Sequence, residues 1–204
     1  IGGQVYADLK MLGHDVIGTI RSQRVELFPL VGVDLLDMSR TMETLAELGN
    51  FESVVFAAGV GDLASCEREP EVSKFVNVKS AVTLCEHFLK TGCSRFVYLS
   101  SGRVFSGDRS FVSADGQRDP KSELGRQKSE AEKTLLSMSP KTRVVRLPKV
   151  LMPSNSLIES WIASLRRGKQ IEAVTDIAVS PISLANASQA VLEVIHGGYP
   201  QITQ

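Results

Sequence analysis

Residues 53–58 read S-V-V-F-A-A, and residues 95–100 read R-F-V-Y-L-S. Both runs are too short for an ordinary helix, and their apolar centres leave no alternate position for water. A strand covered on both faces, as in a parallel sheet, needs this pattern. Between them, residues 71–90 carry Phe75, Val78, Val82, Cys85 and Leu89 at steps of 3, 4, 3 and 4, one apolar stripe on a long helix. Two parallel strands cannot be joined by a tight turn, so a helix between them makes a right-handed crossover. The chain is therefore expected to be α/β, a Rossmann-type, doubly wound parallel sheet.

The same alternation continues on either side. Residues 4–12 form a helix stopped by Gly13, residues 15–20 a strand, and a further apolar run ends at Val33. Residues 39–48 form a helix with Ser39 as its expected N-cap. A helix over 123–137 and a strand over 142–147 follow. The opening helix has no strand before it, so the expected sheet order is 3-2-(1 missing)-4-5-6. Beyond Pro148 come an amphipathic stretch at 156–167, strand-like pieces at 171–174 and 179–182, and a helix over 184–196. The expected division is a dinucleotide-binding domain at 1–150 and a partial substrate lobe at 151–204.

Lys plus Arg and Asp plus Glu both number 23, so no net charge invites a nucleic acid. No apolar run approaches the roughly 20 residues that cross a bilayer. Cys66, Cys85 and Cys93 are odd in number and form no C-x-x-C, which points to a reducing cytoplasm rather than a disulfide framework. His14, His87 and His196 are scattered, none at ligand spacing from another His or Cys, and no metal is expected.

Several positions suit a dinucleotide. Ile1-Gly2-Gly3 opens directly into a helix and looks like the tail of a G-x-x-G-x-x-G turn, whose last glycine lets strand and helix pack closely while the helix N-terminus faces the pyrophosphate; the same residues also suit an arbitrary helix start. The second strand ends Gly18-Thr19-Ile20-Arg21, with Arg24 nearby and no acid in that turn. Arg21 and Arg24 can pair with a ribose 2′-phosphate, which favours NADP and leaves NAD open; they are also plausible as solvated loop arginines. Asp34 can meet an adenine edge while Leu35 packs on its face, although D-L-L-D also suits a helix entry. Ala57 and Ala58, before Gly59, are small enough for close backbone approach.

The densest group is Ser100-Ser101-Gly102-Arg103-Val104-Phe105-Ser106-Gly107, followed by Leu124-Gly125-Arg126-Gln127-Lys128. Together these residues resemble the extended short-chain dehydrogenase/reductase superfamily, nearest to dTDP-4-dehydrorhamnose reductases and sugar-nucleotide epimerases. The likeness runs from Gly2 to about Ile195. It lies in a Ser three residues before a V-F-x-G turn, a G-x-x-K opening a helix, Asn77, Arg146-Leu147-Pro148 and Val179-Ser180-Pro181-Ile182. The resemblance implies that Ser101 orients a sugar carbonyl, that Lys128 contacts the nicotinamide ribose, that Asn77 helps hold the site and that Pro148 lies by the nicotinamide. It also implies a Tyr at position 124 as general acid, where this chain has Leu124. Two readings follow. One is an NAD(P)-dependent reductase or epimerase acting on a nucleotide-linked sugar, with a homodimer open. The other is a non-catalytic relative that binds NAD(P) or a nucleotide sugar and regulates a partner, or a redox-sensing regulator of the same fold that binds the cofactor and reduces nothing.

Overall fold

The computed structural model describes residues 1–21, 30–152, 156–172, 179–197 and 199–204. Its centre is a four-stranded parallel sheet of β3 (Ser53–Phe56), β4 (Arg95–Ser101), β5 (Thr142–Leu147) and β8 (Ile202–Thr203), hydrogen-bonded in that order. A second parallel pair joins β1 (Gly18–Ile20) to β2 (Leu30–Gly32), and a third joins β6 (Lys149–Leu151) to β7 (Pro181–Ser183). The expected neighbours are therefore present, and no described strand hydrogen-bonds to both of the first two sets. β8 was not anticipated.

Strand β4 shows why helices cover both faces. Its alternate side chains point opposite ways. Phe96 and Tyr98 enter one core with Phe56, with Ala81, Leu84, Cys85 and Phe88 of α5 (Ser80–Lys90), and with Ala131 and Leu135 of α6 (Glu123–Met138). Leu45 of α2 (Met38–Glu47) joins that side. Val97 and Leu99 enter the other core with Val145 and Leu147, Val5 of α1 (Gly2–Met11), and Ala187, Val191 and Val194 of α8 (Leu184–His196). Residues 184–204, placed by sequence in the C-terminal lobe, thus pack α8 on the central sheet and add β8 to its edge. The amphipathic stretch becomes α7 (Ser156–Arg166). Of the strand expected over 171–174, residues 171–172 carry no regular structure and 173–174 lie outside the described residues.

Two local expectations change. Helix α2 begins one residue earlier than expected and is capped by Asp37, whose carboxylate accepts from the Arg40 N–H at 3.1 Å, rather than by Ser39. The helix expected over 71–90 is interrupted. After α3 (Leu63–Arg68), α4 (Pro70–Lys74) runs into a π-turn at Phe75–Lys79 before α5. The wider turn rotates the downstream face, so Ala81, Leu84, Cys85 and Phe88 are buried while Val82 and Leu89 are only partly so.

Candidate active site

All strand pairs are parallel, so the carboxyl ends of β3, β4 and β5 lie along one edge. Ala57, Ala58 and Gly59 follow β3 and are exposed; Ser101 ends β4 opposite Leu147; Pro148 follows β5 and is exposed. Gly2 opens α1 against the same edge, where a Cβ would stand 3.2 Å from the Ala57 Cβ. A Cβ on Gly59 would stand 2.9 Å from the Asn77 Oδ1 and 3.6 Å from the Lys128 Nζ. A side chain there would press on the Asn77 amide, and the close approach brings Gly59, Asn77 and Lys128 together.

Helix α6 delivers Lys128. Ser122 caps it by accepting from the Gly125 N–H at 3.2 Å. Gly125 has no room for a side chain, since a methyl would overlap the Arg103 carbonyl oxygen of the 3-10 turn Gly102–Val104. That close approach seats the helix on the turn after Ser101. Lys128 is buried and donates to the Leu99 carbonyl of β4 at 2.9 Å, with its ammonium 4.5 Å from the centre of the Tyr98 ring. Burial drives its pKa down to about 8, against the opposing pull of Glu132 and Cys66. An ammonium has three donors, and this one has a single hydrogen-bond partner among the described residues. Ser101 is half-buried, and its Oγ accepts from the Arg103 N–H at 3.2 Å, which leaves its own proton available.

Two buried polar ladders fix α6. On one side, Asn77 sits in the π-turn, accepts from the Val60 N–H at 2.8 Å and donates to the Val60 carbonyl at 3.0 Å. It also donates to Gln127 Oε1 at 2.8 Å, and Gln127 donates onward to Ser73 Oγ at 2.9 Å. On the other side, Glu132 accepts from Arg146 at 2.9 and 2.6 Å, from Ser100 Oγ at 2.6 Å and from Arg118 at 3.1 Å. Gln127, Glu132 and Ser100 are roles that motif reading does not supply. The only sequence signal for Glu132 is its place one turn beyond Lys128.

No tyrosine replaces the one expected at 124. Leu124 is buried one turn before Lys128. The Tyr98 hydroxyl donates to the Asn77 carbonyl at 2.9 Å, and burial pushes its ionisation far up, so it does not serve as an acid. Tyr6 belongs to α1, and the Tyr199 hydroxyl donates to Glu193 at 2.7 Å.

At the expected ribose end, Arg21 is exposed and its Nε lies 3.8 Å from the Asp34 carboxylate. An acid does therefore reach Arg21, from the end of β2 rather than from its own turn. Leu35 packs partly on the core, so only part of it is open to a ligand. Arg24 lies outside the described residues. The described residues include no group of three or more His, Cys, Asp and Glu able to hold a metal.

A family model described as the RmlD substrate binding domain matches residues 1–202. A Haloferax volcanii protein named "Probable low-salt glycan biosynthesis reductase" is 27% identical, over 97% of this chain and 68% of its own length. A Streptomyces antibioticus protein named as a "dTDP-4,6-dihydroxy-2-methyloxan-3-one 4-ketoreductase" is 24% identical, over 94% of this chain and 65% of its own. The chain thus spans about two thirds of the length of these relatives. Among solved structures, the dTDP-4-dehydrorhamnose reductase of Bacillus anthracis in complex with NADP superposes with a TM-score of 0.81, at 20% identity over 96% of this chain and 67% of that one. The UDP-glucose 4-epimerase of Thermotoga maritima with UDP-glucose gives 0.78, at 20% identity over 94% and 69%. On the match across its whole length, the chain belongs to the RmlD substrate binding domain family, within the extended short-chain dehydrogenase/reductase superfamily.

Proposed function

We propose that this chain is an NAD(P)-dependent reductase or epimerase-like protein that holds NADP, with NAD open, and acts on the keto group of a nucleotide-linked sugar or a related keto compound. The observation that carries the reading is the buried Lys128 ammonium, held on the Leu99 carbonyl two residues before Ser101 on β4 and close to Gly59. The residues fit a dinucleotide: Gly2, Ala57 and Ala58 allow its diphosphate close to the backbone, and Lys128 has donors left for ribose hydroxyls. Pro148 borders the nicotinamide end, with Asn77 fully buried behind it and holding the loop after β3, while Asp34 and Leu35 border the adenine. When bound, the dinucleotide supplies the hydride.

The chain's own task is the proton. Ser101 donates it to the carbonyl oxygen as negative charge develops there, and water reaching the half-buried hydroxyl replaces it. Lys128, positively charged below about pH 8, favours that charge electrostatically. Leu124 can neither give nor take a proton, so the reaction is slow relative to a site with a phenol.

The Arg21–Asp34 contact does not stand against NADP. Both side chains are exposed, and such pairs are worth at most about 1 kcal/mol. A 2′-phosphate offers Arg21 a more strongly charged partner. Titration with NADPH and NADH, in native chain and Arg21→Ala, tests this: NADPH should bind roughly tenfold tighter or more, and Arg21→Ala should erase the difference. NADPH oxidation with a dTDP-4-keto-6-deoxysugar tests the reaction. Tight binding with no turnover would leave the chain as a binding module, the reading that Leu124 favours.

A further inference from the structure

The histidines look unrelated along the chain, yet His14 and His196, 182 positions apart, meet in space. Their Nε2 atoms are 3.2 Å apart and their ring centroids 5.3 Å apart. Two imidazole nitrogens bound to one tetrahedral zinc at about 2.0–2.1 Å would be separated by about 3.3 Å. As hydrogen-bond partners the two rings already hold their Nε2 atoms at a spacing close to that of a chelating pair.

The scaffold beneath them is set by other contacts. Helices α1 and α8 share the core around Val5, Val191 and Val194, and Ser188 donates to Asp8 at 2.6 Å across their interface. Arg95 donates to the carbonyl of Ile195, beside His196. His14 follows the glycine that ends α1, with its N–H on the Leu9 carbonyl, and His196 is the last residue of α8. Two helix C-termini, each the negative end of a dipole, therefore converge on the pair and favour a cation there. Both rings are exposed, so an ion and its waters have access.

We propose that His14 and His196 form a two-histidine site for a divalent transition metal of the zinc, nickel or copper class, clamping the C-terminal end of α1 to that of α8. Imidazole suits these ions, and water completes the coordination, since no third His, Cys, Asp or Glu joins the pair among the described residues. The site lies at the opposite end of α1 from Gly2, so it acts on stability and not on the carboxyl edge. Because an unfolded chain separates the two rings, the metal binds the native state and stabilises it by mass action.

The test is a titration of the full chain with Zn²⁺ alone, read by calorimetry and by thermal unfolding with and without EDTA. His14→Gln and His196→Gln serve as controls; both positions are exposed, and far-UV circular dichroism checks their folds. One zinc per chain is expected, with a rise in the unfolding temperature that EDTA reverses. Either substitution should weaken binding at least tenfold and abolish the rise. No binding at millimolar Zn²⁺, or a thermal shift that survives in either single variant, overturns the proposal.

Discussion

Replacing Glu132 by Leu should be among the most damaging single changes in the protein. Glu132 is fully buried and the Arg146 side chain is 1% exposed, with two hydrogen bonds of 2.6 and 2.9 Å between them. Removing the carboxylate strands the guanidinium where water cannot reach it. Among the described residues, Arg146 then keeps its bond to the Ala114 carbonyl at 2.6 Å and its contact with the Phe105 ring. Arg118, at 26% exposure, can turn to solvent, so its loss is minor. Breaking one side of a buried pair costs about 3–5 kcal/mol, whereas replacing both partners by apolar groups costs far less. Glu132→Leu should thus lower the folding equilibrium constant by two to nearly four powers of ten. Glu132→Leu with Arg146→Met should recover most of that loss. Urea unfolding at pH 7, followed by far-UV circular dichroism, gives all three values. A single-variant loss under about 1 kcal/mol, or a double variant as unstable as the single, would refute the account of a dry, mutually dependent pair.

Three further outcomes follow from the same geometry. Lys128 falls from its ordinary 10.5 to about 8 on folding, so between those values the unfolded chain binds more protons and this group's contribution to stability rises with pH. At about 1.4 kcal/mol per tenfold, Lys128→Met should gain about 3 kcal/mol relative to the native chain at pH 7 compared with pH 10.5; the opposing rise of Cys85 to about 11 is common to both proteins and cancels. A flat difference across that range would show that Lys128 is not desolvated. Gly125→Ala should cost about 1–3 kcal/mol in denaturant unfolding, because its methyl meets the Arg103 carbonyl, while Gly61→Ala, with nothing within 4 Å, serves as the unhindered control. Leu124→Tyr should raise NADPH oxidation with a keto-sugar nucleotide by about 100- to 10,000-fold; fast turnover by the native chain would instead show that another group already serves as the acid.

The strands and crossover helices were legible because each is a local pattern. The strand over 142–147 and the helix over 184–196 have the bounds that periodicity suggests. The π-turn was not, since Phe75 to Leu89 keeps the spacing of a regular helix whether or not one turn widens. The turn is explained by tertiary partners, with the Asn77 side chain on Val60 and its carbonyl on the Tyr98 hydroxyl. β8 is two residues long, below what alternation can signal, and takes its place from pairing with Val144 and Val145. The capping of α2 by Asp37 was a choice between two adequate capping residues two positions apart, decided by which side chain meets the Arg40 N–H.

The site divides in the same way. The family resemblance names Ser101, Leu124 and Lys128, but not what holds them. Gln127 joins α6 to the loop after β3 through Asn77, and Glu132 joins it to β4 and β5 through Ser100 and Arg146. Lys128 lies between these two anchors and takes its own bond from Leu99. Neither anchor uses residue 124. Exchange of a phenol for a leucine there can therefore remove an acid without disturbing the helix, the lysine or the approach at Gly59. That independence makes restoring a phenol at this one position a fair test of the proposed reductase reading.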